Sequence, residues 1–153
     1  MSSVYSLAVK LLSRREYTTA ELTRKLADRE CPQDEIDDAI ARLRESGALD
    51  DRRAGAAHVR TATRLKGRGR LRIERELLAR GIDRGLVREL LADSSPDDQL
   101  AALKQVVLRK RVPASLDQAA YRRVFQQLAR RGFSADVIAK GLRSRRRGGE
   151  DDD

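Results

Sequence analysis

A chain of 153 residues is long enough for one ordinary domain or for a short series of small repeated units. Hydrophobic residues make up 40% and charged residues 37%, which excludes a wholly disordered chain and favours many amphipathic helices with wide solvated faces. The net charge of +9 points to a polyanionic partner, a lone cysteine excludes an intrachain disulfide framework, and no apolar run approaches the roughly 18 residues of a membrane span.

The pattern predicts helices throughout, with no sustained strand-type alternation. A first helix, about Ser3 to Arg14, carries Val4, Leu7, Ala8, Leu11 and Leu12 on one stripe. A second begins at Thr18, whose spacing to Glu21 is that of a capping box, with Tyr17 and Leu22 as the hydrophobic staple. It should stop near Arg29, before Cys31-Pro32. A third holds Ile36, Ala39, Ile40 and Leu43 and ends at Ser46-Gly47. Asp50-Asp51 opens a fourth, running to about Leu65, where Gly67 and Gly69 break the chain. The fifth carries Ile73, Leu77 and Leu78 and ends at Gly81; a short sixth carries Leu86, Val87, Leu90 and Leu91. Ser95-Pro96 starts a seventh that reaches about Lys110, and Val112-Pro113 is a connection. The eighth spans roughly Gln118 to Arg131 and stops at Gly132; Ser134 caps a ninth with Val137, Ile138 and Leu142. From Ser144 the composition reads as a disordered charged tail.

Apolar anchors recur at a fixed offset of 51 residues: Leu22, Ile73 and Val124; Leu26, Leu77 and Leu128; Cys31, Ile82 and Phe133; Ile36, Val87 and Ile138; Ile40, Leu91 and Leu142. The helix break falls at Gly81 and Gly132, with Glu30 in that place in the first copy, where Pro32 should do the breaking. The expected fold is all-α: a tandem array of three three-helix repeats, residues 3–49, 50–93 and 95–143, followed by the tail, 144–153. Units too small to bury their own faces should stack end to end into an elongated, curved body. A closed nine-helix globule is the alternative.

No catalytic or metal constellation emerges. His58 is the only histidine, so a zinc cluster is not expected, and Cys31 sits in an apolar column rather than beside a base. Gly67-Arg68-Gly69 lacks both the preceding strand and the following Gly-Lys-Ser/Thr of a phosphate loop. No cofactor is expected, and the chain reads as a binding protein, not an enzyme. The basic stretch carries more information. Arg60, Arg64, Lys66, Arg68, Arg70, Arg72 and Arg75 are opposed only by Glu74, and Arg122, Arg123, Arg130 and Arg131 form a weaker second cluster. Arg60 and Arg64 share a helix face, as do Arg68, Arg72 and Arg75 if the fifth helix starts that early. Such guanidinium groups suit phosphates or acidic side chains; a solvated helix surface is the competing reading. Five aromatics are too few for a stacking platform, so any direct DNA contact should be electrostatic and indifferent to sequence.

Several segments resemble the RecX family of regulatory proteins. They are Leu11-Leu12-Ser13-Arg14-Arg15-Glu16-Tyr17-Thr18-Thr19-Ala20-Glu21-Leu22 with Lys25-Leu26, and the run from Leu43 through Gly47-Ala48-Leu49-Asp50-Asp51-Arg52. Gly69 with Ile73, Glu76-Leu77 and Gly81-Ile82 follows, then Leu128-Ala129-Arg130-Arg131-Gly132-Phe133. Their order and spacing cover about Leu7 to Leu142. The chain departs from the family in having Arg53 where an aromatic is usual, and no tyrosine near His58. The resemblance implies three three-helix units and a partner in the RecA protein and the RecA–single-stranded DNA filament. It also implies inhibition of strand exchange, ATP hydrolysis and coprotease function. The Arg60–Arg75 stretch, with Arg130 and Arg131, is the expected contact. A monomer is expected, and a cytoplasmic location, the latter because Lys10 interrupts the only apolar stretch near the start. A general helical DNA-binding protein is the alternative.

Overall fold

The computed structural model describes residues 3–146 and contains, among them, nine α-helices and no strand. They are α1 (Val4–Leu12), α2 (Thr19–Asp28), α3 (Gln33–Glu45), α4 (Asp51–Arg64), α5 (Arg70–Ala79), α6 (Arg84–Leu91), α7 (Pro96–Arg109), α8 (Gln118–Arg130) and α9 (Ala135–Leu142). The chain forms two compact units. Unit 1 comprises Met1–His58 with Glu76–Leu90, and unit 2 comprises Val59–Arg75 with Leu91–Asp153. The division falls inside α4 and α5, so the second sequence repeat contributes to both units. The two core clusters draw on the first and third repeats, and the middle repeat is divided between the units.

In unit 1, α1, α2 and α3 pack around Ala8, Leu11, Leu22, Leu26, Ile36 and Leu43. The start of α2 is a full capping box: Glu21 N donates to Thr18 Oγ1 (3.1 Å) and Thr18 N to Glu21 Oε1 (2.9 Å). The Thr18 hydroxyl also donates to the Arg80 carbonyl (2.6 Å), tying this start to the end of α5. Tyr17 and Leu22 are buried beside it, as a staple requires. The Asp50-Asp51 pair divides its work. Asp50 caps α4 by accepting from Arg53 N (3.1 Å), whereas Asp51 accepts from the backbone (2.7 Å) and hydroxyl (3.0 Å) of Thr19 on α2. Arg53, the departure from the family pattern, donates to Glu16 Oε1 (2.8 Å) and to the carbonyls of Gly47 (2.8 Å) and Ala48 (3.0 Å). It ties the α3–α4 turn down by hydrogen bonds.

In unit 2, α7, α8 and α9 surround Leu103, Val106, Val107, Leu128, Phe133, Ile138 and Leu142. Ser95 and Asp98 form a second capping box at α7, Asp117 caps α8, and Ser134 caps α9. Ser144, Arg145 and Arg146, expected in the tail, are instead part of the described structure. Arg143–Arg145 form a 3-10 turn, Leu116 N donates to the Arg145 carbonyl (2.7 Å), and the Arg146 guanidinium lies over the Tyr121 ring. The rest of the expected tail, residues 147–153, lies outside the described residues.

The 51-residue columns are mostly core: Leu26, Leu77 and Leu128 are buried, as are Ile36, Val87 and Ile138. Cys31, Ile40 and Val124 are only half-buried. The three helix breaks share one geometry. Glu30, Gly81 and Gly132 all have positive φ (60°, 81° and 100°). The next residue in each copy reaches back five positions: Cys31 N to Leu26 O (3.2 Å), Ile82 N to Leu77 O (3.2 Å) and Phe133 N to Leu128 O (3.3 Å). This is the Schellman termination, which satisfies the last carbonyls of the helix. The expectation that Pro32 does the breaking after α2 is therefore corrected, because Glu30 adopts the left-handed conformation without being glycine.

Candidate functional site

All nine sequence-predicted contact residues fall in unit 2, and the fold brings the two clusters together. Gly69 N donates to the Arg131 carbonyl (2.7 Å) and Leu71 N to the Gly132 carbonyl (3.0 Å), so the α4–α5 turn is seated on the end of α8. Helix α5 begins at Arg70, so Arg68 belongs to the turn and does not share a helical face with Arg72 and Arg75. Gly69, the residue before α5, packs so closely against the Gly132 backbone that a side chain there would clash.

The cations have two kinds of surroundings. Arg60, Arg64, Lys66, Arg75 and Arg130 are exposed, and Arg68, Arg70, Arg72 and Arg131 are half-buried. Arg131 Nη1 donates to the carbonyls of Lys66 (3.1 Å) and Gly67 (3.4 Å). Arg70 Nη1 donates to the Ser94 carbonyl (3.2 Å), while its backbone N donates to Gln99 Oε1 (2.8 Å). These two arginines brace the turn, and the exposed set faces solvent. Sequence reasoning missed Arg109, whose Nη1 donates to the Arg64 carbonyl (3.1 Å) at the end of α4. The run Arg109-Lys110-Arg111 at the end of α7 was the available signal, since cations favour helix C-termini. Lys66, Gly67, Arg109, Lys110 and Arg131 line a cleft of about 310 Å³.

Charge is divided unequally. Among the described residues, unit 2 carries 19 Lys and Arg against 6 Asp and Glu, and unit 1 carries 13 against 14. The positive field therefore originates in unit 2. Unit 1 holds instead a set of internal ion pairs. Glu21 accepts from Arg80 Nη2 (2.9 Å) and Nε (3.2 Å) and lies 3.6 Å from Arg15. Burial works against the Glu21 charge, but the Arg80 and Thr18 hydrogen bonds and the Arg80 and Arg15 charges outweigh it, holding this carboxyl below its usual 4.5. His58 lies 3.6 Å from Glu76, and Cys31 packs at the edge of the unit 1 core. Among the described residues no group of three or more His, Cys, Asp or Glu is placed to hold a metal ion. No described helix is long and apolar enough to cross a membrane.

These features define an all-helical repeat protein whose excess positive charge is carried by one of its two units. Residues 5–43 match the first three-helix domain of RecX, residues 50–91 the second, and residues 97–142 the third. The chain belongs to the RecX family of regulatory proteins. It is 39% identical over 143 residues to the regulatory protein RecX of Ectopseudomonas mendocina, covering 92% of this chain and 93% of that one. It is also 39% identical over 154 residues to that of Chromobacterium violaceum, covering 99% and 93%. The crystal structure of RecX from Lactobacillus salivarius superposes with a TM-score of 0.78 over 92% of each chain, at 23% identity, a likeness of fold.

Proposed function

We propose that this protein binds RecA and its single-stranded DNA filament and damps recombinase, ATPase and coprotease activity, acting as a cytoplasmic monomer through binding rather than catalysis. Family membership supports the choice of partner. The observation that carries the contact surface is the gathering of Arg60, Arg64, Lys66, Arg75 and Arg130 on one unit, held by the Arg131 and Arg70 braces. Cations spread over a surface make many weak contacts with a polyanionic polymer, and repetition along a filament adds avidity.

The test is DNA-stimulated ATP hydrolysis by RecA while the purified protein is titrated. Inhibition supports the reading, with substoichiometric inhibition favouring capping of filament ends and near-stoichiometric inhibition favouring coating. Undiminished hydrolysis at excess protein overturns it. The charge of unit 2 also favours a second reading, general sequence-independent DNA binding, which requires equal affinity for naked and RecA-coated strands. Competition between the two substrates separates them.

A further inference from the structure

Repetition exposes one position that the third repeat treats differently. Leu22 and Ile73 are 0% and 1% exposed, yet Val124, which occupies the same place on α8, is half-buried. Valine is also the smallest of the three, so it fills less of the space around it. A groove of about 300 Å³ opens there between α7 and α8, with Val112, Val124 and Leu128 along its apolar floor and Lys110, Arg130 and Arg131 on its rim. Its size is at the lower end for ligand pockets, enough for one or two large side chains. Val106, Lys110 and Arg131 also line the neighbouring cleft with Lys66 and Arg109, so the apolar slot and the cationic cleft share walls.

The chemistry of this pair of cavities selects among occupants. Single-stranded nucleic acid offers phosphates to the rim, but its bases call for aromatic stacking planes, and the slot is walled by aliphatic groups. The chain's own Glu150-Asp151-Asp152-Asp153 offers charge with no apolar side chain to bury. A short acidic segment bearing one large apolar residue satisfies both halves. We propose that the groove between α7 and α8 binds such a segment of a partner protein, its apolar side chain in the slot over Val124 and its carboxylates on Lys110, Arg130 and Arg131. The anchor supplies the affinity, and the charge-assisted contacts orient the peptide.

The experiment is fluorescence anisotropy with the full chain. One labelled probe is a short run of aspartates around a single leucine, and the other has serine in place of that leucine. The leucine peptide is expected to bind about tenfold tighter or better, the effect of burying one such side chain. Arg130→Glu should weaken both peptides. Val124→Phe, which fills the slot with an apolar group, should erase the leucine preference; Val112→Phe is a second filling variant should the first melt early. Equal affinity for the two peptides overturns the proposal. So does a leucine preference unchanged in both filling variants. Equal affinities that rise together when residues 147–153 are removed assign the rim to the chain's own acidic stretch, which also overturns it. Because the assay contains no RecA, its failure and the failure of the filament reading are separate results.

Discussion

Gly69 and Gly132, from the second and third repeats, meet backbone to backbone: a Cβ on Gly69 would stand 2.5 Å from the carbonyl carbon of Gly132. That approach seats the α4–α5 turn, with its exposed cations, against the end of α8. Gly69→Ala is expected to destabilise the protein by about 3 kcal/mol, because the opposing atoms are backbone and cannot swing aside. For a chain of this size that lowers the melting temperature by about 9 °C. Thermal unfolding followed by circular dichroism checks it, and an unchanged melting temperature contradicts the packing.

Glu30 is the non-glycine member of the three left-handed breaks, with φ of 60°. A side chain there costs about 1 kcal/mol relative to glycine. Glu30→Gly should therefore stabilise the protein by up to about 1 kcal/mol, against the usual tendency of glycine to loosen a chain. Arg111, at φ 51° after α7, should respond to Arg111→Gly in the same way. Urea midpoints of the two variants measure this, and a lower midpoint in both counts against the shared termination.

Acid should weaken unit 1 through Glu21. Its carboxyl titrates below the usual 4.5 in the folded chain, so its contribution is complete above that ordinary value and is lost as the pH falls through the lower folded value. Glu21→Gln is expected to cost about 1–2 kcal/mol at pH 7, from the lost charge-assisted bonds to Arg80. The deficit should shrink between pH 7 and an acid pH low enough to neutralise the parent carboxyl, which titrates below 4.5. Parallel denaturation curves at the two pH values decide it; a constant deficit argues that the lost packing, not the charge, matters.

Exposed and bracing cations should separate by phenotype. Arg60→Gln, Arg64→Gln and Lys66→Gln combined should leave stability within about 0.5 kcal/mol. If all three meet phosphates of a single strand, the slope of log affinity against log salt should fall by about 2. Arg131→Gln should instead lower stability by about 1–2 kcal/mol, since it leaves the Lys66 and Gly67 carbonyls without this donor. An unchanged salt slope in the triple variant removes those residues from the interface.

Much of this was legible because the same physics repeats every 51 residues. Leu26, Leu77 and Leu128 announce the core by period, and Thr18 with Glu21 announces a helix start by spacing. Contacts between a side chain and a distant carbonyl leave no such trace. Arg131 and Arg70 look in sequence like any solvated arginine, although one braces Lys66 and the other Ser94. The seating of Gly69 on Gly132 just ahead of α5, a contact between repeats, leaves no trace in the sequence either. Only alignment of the copies shows that Glu30 stands where Gly81 and Gly132 stand, and hence that it takes a glycine conformation.

The partition of α4 and α5 between the two units carries a consequence for synthesis on the ribosome. Unit 1 lacks its last segment until Leu90 has left the exit tunnel, and the stretch Val59–Arg75, emerging earlier, belongs to a body whose other helices are still unmade. Seven cations on that stretch thus wait, unseated, while α7 through α9 are translated. The nascent chain passes through an interval in which its most strongly charged stretch lacks the scaffold that later positions it.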